Sequence, residues 1–440
     1  MKFKNSFLIL TIVIAGLFSA RISLAQIDPS NINVVPLPVG SGARAIGQGS
    51  AFIAVADDAT AASWNPGALI QLEKPEFSLV SSYLSTGQEF DSDDPGLTFH
   101  DRDESRGDMN YASIAYPFRI FRKNMVAALN YQQIYDFHMK LDFDSEQADS
   151  TPPPSRFNQN IDVESQGGVG ALTPALSMLI TPKISFGVAV NFYTDEFFGN
   201  YAWKQRTKVT TSGTFAGIHI PTTSDSYDTT FKNFQAINVT TGVLWDVWEK
   251  EDKLLTLGAV YDTPYTADVD RIISRSSLTN HSRENFEIDY PMSFGVGLGF
   301  RYNDALSFSL DVTWSDWSEY KQKRSNDSLE TRPLGGATLD RKIDDTYTAR
   351  CGTEYLIFRK NVIIPVRGGL FYEPRPSLDD PTDVYGFSIG SGITFKRISI
   401  DAAYQFRWSH DGDGEDFGLP SGTHFDFNDN MFLTSVIVYF

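Results

Sequence analysis

Residues 293–314 read SFGVGLGFRYNDALSFSLDVTW, two runs of strict alternation joined through Asn303-Asp304. In the first, Phe294, Val296, Leu298 and Phe300 alternate with Ser293, Gly295, Gly297 and Gly299. In the second, Leu306, Phe308, Leu310, Val312 and Trp314 alternate with Ser307, Ser309, Asp311 and Thr313. A period of two belongs to a strand, so the stretch predicts a hairpin with one oily face and one polar or glycine-rich face. Residues 398–408 repeat the design, with Ile398, Ile400, Ala402, Tyr404, Phe406 and Trp408 against Ser399, Asp401, Ala403, Gln405 and Arg407.

The same pattern marks about fourteen strands along the chain. They fall near 76–84, 108–118, 123–141, 165–180, 183–197, 233–248, 253–272, 285–302, 305–318, 345–357, 361–373, 384–395, 397–408 and 430–440. Connections after even-numbered strands are short, as at Arg119–Arg122, Thr181-Pro182, Glu249–Glu251, Asn303-Asp304, Phe358–Lys360 and Lys396. Those after odd-numbered strands are mostly long and polar: 85–107, 142–164, 198–232, 319–344 and 409–429. Short turns at one end and long loops at the other characterise outer-membrane barrels. The predicted fold is therefore all-β, a transmembrane antiparallel barrel over residues 76–440.

Both ends of the chain agree. The opening MKFKNSFLILTIVIAGLFSARISLAQ has Lys2 and Lys4, an apolar run from Phe7 to Phe18, and the small pair Ser23 and Ala25. That run is about twelve residues, too short for the roughly 20 of a spanning helix. Residues 1–25 thus read as a secretory signal peptide, removed near Gln26. The closing MFLTSVIVYF alternates through Phe432, Thr434, Val436 and Val438 and stops on the aromatic Phe440. Such a strand resembles the signal that the barrel-assembly machinery reads.

Composition excludes several functions. A formal charge of −18 argues against nucleic acid as a partner. The single Cys351 permits no intrachain disulfide, and six scattered His leave no metal-ligand cluster, so neither metal nor cofactor is expected. His100, His138, His219, His281, His410 and His424 fall mostly in predicted loops, none with a nucleophile in register, so no enzyme is expected.

A barrel of this size has a lumen wider than its own wall side chains can fill. Residues 26–75 precede the first strand and have no strand slot. Their core, GARAIGQGSAFIAVADDATAASWNPGAL (42–69), is rich in small residues suited to tight packing. The segment is predicted to be a hatch, a plug inside the lumen. Asp57 and Asp58 are placed to cap a short helix through Ala59–Ser63 or to pair with wall arginines. Asn65-Pro66-Gly67 then forms a turn.

These motifs resemble the outer-membrane long-chain fatty-acid and hydrocarbon transporter family (FadL type). ADDATAASWNPGAL resembles that family's hatch, whose turn is Asn-Pro-Ala; Gly67 is a departure expected to loosen it. LLTLGAVYDTPYTADVD (254–270), YPMSFGVGLGFRYNDALSFSLDVTWSDWSEY (290–320) and DDTYTARCGTEY (344–355) resemble barrel motifs in the same order. The resemblance implies a monomeric fourteen-strand barrel in the bacterial outer membrane, in contact with lipopolysaccharide. It also implies passive uptake of long-chain fatty acids or other hydrophobic molecules, with hatch rearrangement and sideways release at a kinked third strand. Residues 124–137 contain neither Gly nor Pro, so such a kink needs a bulge. The hatch also resembles that of outer-membrane secretion barrels, which shuttle protein clients; this is the competing reading.

Alternation turns Arg350 and Glu354, Arg367, and Asp401 and Arg407 toward the lumen. Arg350, Arg367 and Arg407 are candidates to receive a ligand carboxylate, because a guanidinium meets a carboxylate in a bidentate fork. The alternative is that they pair with Asp57, Asp58 or wall acids and hold the hatch. The acidic runs DSDDPG (91–96) and DGDGEDFG (411–418) read as solvated loop or as divalent-cation contacts toward lipopolysaccharide. Trp314, Trp317 and Trp408 are expected in an aromatic girdle.

Overall fold

The computed structural model describes residues 37–38, 40–150, 153–195, 202–277, 281–326 and 329–440. The expected signal peptide and its cleavage point lie outside the described residues. No helix among the described residues is long and apolar enough to cross a membrane. Strands do the crossing.

A ring of 14 strands forms the wall. In chain order these are β1 (Glu76–Ser92), β2 (Arg102–Ile120), β3 (Lys123–Asp136), β4 (Ser155–Thr181), β5 (Ile184–Thr194), β6 (Ile218–Lys250) and β7 (Lys253–Asp262). They continue as β8 (Ser293–Arg301), β9 (Leu306–Ser315), β10 (Thr346–Phe358), β11 (Ile363–Tyr372), β12 (Tyr385–Phe395), β13 (Ile398–Asp413) and β14 (Thr423–Tyr439). The ring closes where β14 pairs antiparallel with β1, from Glu76 opposite Tyr439 to Ser92 opposite Thr423. Closure matters because hydrocarbon offers no partner for a free N–H or C=O, and only a closed sheet pairs them all.

The alternation read from sequence sets the two faces. On β9, Phe308, Leu310 and Val312 are 45%, 51% and 41% exposed, whereas Ser309 and Asp311 are 5% and 1% exposed. Burying nothing on the outer face is stable only if lipid covers it. The short turns follow expectation: Phe121-Arg122, with φ of 49° and 64°, makes the left-handed two-residue turn that matches strand twist.

Three expected strands differ. Residues 253–272 and 285–302 each divide, at Thr263-Pro264 and at Pro291-Met292. A proline supplies no ladder N–H, so the wall pairing ends there. The outer pieces, Tyr265–Arg275 and His281–Tyr290, pair with one another, and the first also pairs with the upper half of β6. The third expected strand, 123–141, ends as β3 at Asp136; after Phe137-His138 the chain resumes as Met139–Asp149, paired on β4. Its bulge lies between Gln133 and Tyr135. Much of what reads as loop is strand: Met139–Asp149, Trp203–Phe215 and the upper parts of β4 and β6 form an outer sheet above the ring.

The wall has a seam. The β2–β3 ladder runs from Ile120/Lys123 only to Tyr111/Gln132, while β1 and β2 stay paired as far as Gln88/Arg102. Beyond the seam, Leu37–Pro38 pairs with Asp136 and Tyr135 of β3.

At the outer end, loops are tied by Asp416, which accepts from the Leu378 N–H (2.8 Å) and whose carbonyl accepts from Gly335 (2.8 Å). Burial pushes the Asp416 carboxyl up to about 7. A raised folded-state value stabilises the packed loops below the unfolded carboxyl pKa, and that stabilisation is lost as pH rises through about 7. The hydrogen-exchange protection factor of the Leu378 amide is expected to fall progressively between about pH 4 and about pH 7, to level off above that, and to stay flat in Asp416→Asn.

Candidate functional site

Residues 40–72 occupy the lumen. They form a short helix (Ala43–Gly47) and two 3-10 turns (Ala61–Ser63 and Pro66–Gln71). Ala45, Phe52, Ala59, Ala62 and Leu69 pack on the wall residues Ala115, Val126, Ala175, Ala189 and Leu244. Hydrogen bonds reach the wall all around the ring. Tyr111 of β2 donates to the Ala59 carbonyl (2.8 Å), the Ile53 N–H to Asp311 of β9 (2.9 Å), and the Gly49 N–H to Ser388 of β12 (2.8 Å). The small residues of the sequence are explained by this fit against a wall on every side.

Asn65-Pro66-Gly67 is the most closely held point. Asn65 is fully buried; its Nδ2 donates to Ile53 O (2.9 Å) and to Val243 O of β6 (3.0 Å). Its Oδ1 accepts from the Gly67 N–H (3.0 Å), and the Gly67 carbonyl accepts from Ser177 (3.1 Å) and Ser185 (2.8 Å). The expectation that Gly67 loosens the turn is corrected here. A Cβ at 67 would stand 2.7 Å from the Gly242 carbonyl oxygen, so the strand backbone leaves room for glycine alone. Gly187 and Gly242 face the turn as bare backbone for the same reason. Gly67→Ala is therefore expected to push the turn off the wall at a cost of about 1–3 kcal/mol. The check is ion conductance of the reconstituted barrel, which should rise.

A charged chain runs along the turn side. Asp57 pairs with Arg44 of the same segment, and Arg44 also reaches Glu354 of β10 (2.9 Å). Glu354 accepts from Arg367 (2.6 Å), which also reaches Asp401 (2.5 Å). Arg350 pairs with Glu373 (2.8 Å) and Arg407 with Asp429 (2.8 Å). All five lumen assignments hold, and all three arginines are engaged by wall acids. Among the described residues Asp57 and Asp58 meet no wall arginine. Asp58 instead accepts from the Thr60 N–H (2.8 Å) and hydroxyl (2.6 Å), organising the turn ahead of Ala61–Ser63. Burial pushes its carboxyl up, against the pull of Arg44. Arg44 had no periodic or motif signal in the sequence and was not anticipated.

The segment separates cavities. On the outer side one of about 250 Å³ is bounded by Ala62, Ser63, Asn130, Tyr193, Asp262 and Tyr265, with others including Trp317. Trp317 thus faces inward, its Nε1 donating to Thr346 (3.0 Å), and is not part of a lipid-facing girdle. A neighbouring cavity of about 160 Å³ shares Ser63 and Gln132 and is lined by Arg350, Glu373 and Arg407. On the turn side a third, of about 230 Å³, is lined by Arg44, Asp57, Asn303 and Asp304. Among the described residues no group of three or more His, Cys, Asp or Glu is placed to hold a metal; of the acids of 411–418, Asp413 and Asp416 bind loop backbone, Glu415 binds Arg341 and Asp411 pairs with His424.

A lipid-facing barrel plugged by its own chain, with cavities on both sides of the plug, is the architecture of an outer-membrane transport protein. The chain belongs to the family described as outer membrane protein transport protein (OMPP1/FadL/TodX), whose model matches residues 38–428. Its members are transport proteins and not enzymes. Among solved structures, the chain is similar to a FadL homologue of Pseudomonas aeruginosa at 16% identity and TM-score 0.59, covering 92% of this chain and 100% of that one. It is similar to the toluene transporter TodX of Pseudomonas putida at 12% identity and TM-score 0.55, covering 93% and 100%. The toluene transporter TbuX of Ralstonia pickettii gives 15% identity and TM-score 0.51, covering 91% and 98%. No curated protein sequence matches the chain.

Proposed function

We propose that this protein carries hydrophobic small molecules, long-chain fatty acids or smaller hydrocarbons, passively across the bacterial outer membrane. The observation that carries the reading is the lumen segment standing between the outer and turn-side cavities. Residues 26–75 act as the hatch, with Asp57, Asp58, Asn65, Pro66 and Gly67 as its gating residues, and residues 76–440 as the barrel. The chain is exported behind a signal peptide over 1–25, inserted by the barrel-assembly machinery, and works as a monomer among lipopolysaccharide.

Sideways release between β2 and β3 is supported by the seam above Tyr111/Gln132, where the ladder is replaced by Leu37–Pro38 on β3 and by ion pairs of Arg106 with Asp136 and Arg102 with Asp142. Arg350 and Arg407 are better placed than Arg367 to meet a ligand carboxylate. Both line the neighbouring cavity of about 160 Å³, and their Nε atoms have no hydrogen-bond partner among the described residues. Arg367 has no such opening to the cavities, because Glu354 and Asp401 occupy it.

The test is uptake of labelled palmitate and labelled toluene by cells with this chain as their only such transporter, beside Asn65→Ala/Pro66→Ala. Uptake that changes in the assembled variant supports a gated hatch. No uptake of either compound by the assembled wild type would sink the reading and favour a secretion barrel with protein clients.

A further inference from the structure

The outer cavity is not walled like a site for an alkyl chain. A belt of hydrogen bonds runs around it over neighbouring strands. Thr173 donates to Asn191 (2.7 Å), Asn191 to Thr240 (3.0 Å), and Thr240 to Asp262 (2.5 Å), which also accepts from Ser293 (3.0 Å). Beside Thr173 in the wall register stands Asn130. It is 2% exposed, it lines the cavity, and its Nδ2 has no acceptor among the described residues. Tyr193, Tyr265 and Tyr290 stack in series with ring centroids 4.7 Å apart at each step, and all three line the same cavity.

A buried amide donor left without a partner is destabilising, and a methylene passing it relieves none of that. A ligand oxygen does. A cavity of about 250 Å³ also sits at the small end for ligand sites, which suits one ring better than a long chain. Aromatic side chains with a few fixed polar groups select a flat molecule that carries a hydrogen-bonding substituent.

We propose that this cavity is a binding site for small phenols, the hydroxyl oxygen accepting from Asn130 Nδ2 and its proton given to an oxygen of the belt. This rests on the uptake reading above and narrows its substrate class. Asn130 and the belt then act as the specificity-determining groups, because a site built to bond a hydroxyl discriminates against the analogue that lacks one.

The experiment is calorimetric titration of the full chain in detergent with phenol, toluene and decanoate, against micelles alone. Phenol is expected to bind at least about tenfold more tightly than toluene. Asn130→Leu and, separately, Thr173→Val should each erase most of that preference, in protein whose heat-dependent gel migration shows a folded barrel. Should Asn130→Leu fail to insert, the isosteric Thr173→Val still tests the belt. Toluene or decanoate binding as tightly as phenol overturns the proposal, as does a preference that survives both substitutions. Toluene uptake without phenol preference sinks this proposal and leaves the uptake reading standing; neither binding nor uptake of any compound sinks both.

Discussion

Replacing Arg367 with alanine is expected to free the lumen segment more than any other single change in the charged chain. Its side chain is 4% exposed and holds two wall carboxylates, Glu354 at 2.6 Å and Asp401 at 2.5 Å. Removing one partner of a buried pair strands the other, which typically costs roughly 3–5 kcal/mol. Glu354 keeps Arg44, but among the described residues Asp401 is left with the Ser399 hydroxyl (3.0 Å) alone. Gly47 packs against the Arg367 stem, so the damage is passed to the segment's helix. Amide exchange at Gly47 and Gly49 should accelerate by about a hundredfold, since each 1.4 kcal/mol is a factor of ten. The triple change Arg367→Met, Glu354→Gln and Asp401→Asn should recover most of the protection, because a neutral set needs no counter-charge. Unchanged exchange in Arg367→Ala would show that apolar packing alone retains the segment.

The second large effect is expected at Asn65. Alanine there removes the bonds to Ile53 O and Val243 O and the acceptor for the Gly67 N–H, all inside a fully buried turn. At about 1 kcal/mol or more for each, the loss is roughly 3 kcal/mol, or about a hundredfold rise in the displaced population. In planar bilayers the wild type should be nearly silent, and Asn65→Ala should show frequent openings. Asn65→Asp keeps the Oδ1 acceptor but sets a carboxylate oxygen against the carbonyls of Ile53 and Val243, so it should open at least as often as Asn65→Ala. A silent Asn65→Ala channel would mean that Ser177 and Ser185, through the Gly67 carbonyl, suffice to hold the turn.

The ring was legible because one physical rule, lipid outside and polar or small groups inside, writes itself into every second residue. That rule gave the inward orientation of Glu354, Arg367, Asp401 and Arg407, but not their partners. Partner choice depends on strand stagger, which alternation does not encode. The outer sheet was illegible for the opposite reason. Residues 203–215, WKQRTKVTTSGTF, alternate one polar type with another, and no hydrophobic period reveals the strand. Pro264 and Pro291 did carry a readable signal, since a proline within an alternating run argues for a break. The lumen segment showed its composition but not its contacts: Gly187 and Gly242 meet its Asn65-Pro66-Gly67 turn from mid-strand, and Arg44 reaches Glu354 from a helix of five residues, too short to carry a period.

Strand β6 runs through 33 residues, and a tilted strand needs only about 9–11 to cross a bilayer. Most of its length therefore stands in water, as does much of the 27-residue β4. The molecule is a chimney more than a pore. A solute meets protein well before it reaches the plane of the lipid, and the height of that first encounter is fixed by hairpin length. The hairpin 203–232 can thus be shortened to lower the entrance while the ring below keeps its strand count, its closure and its plug.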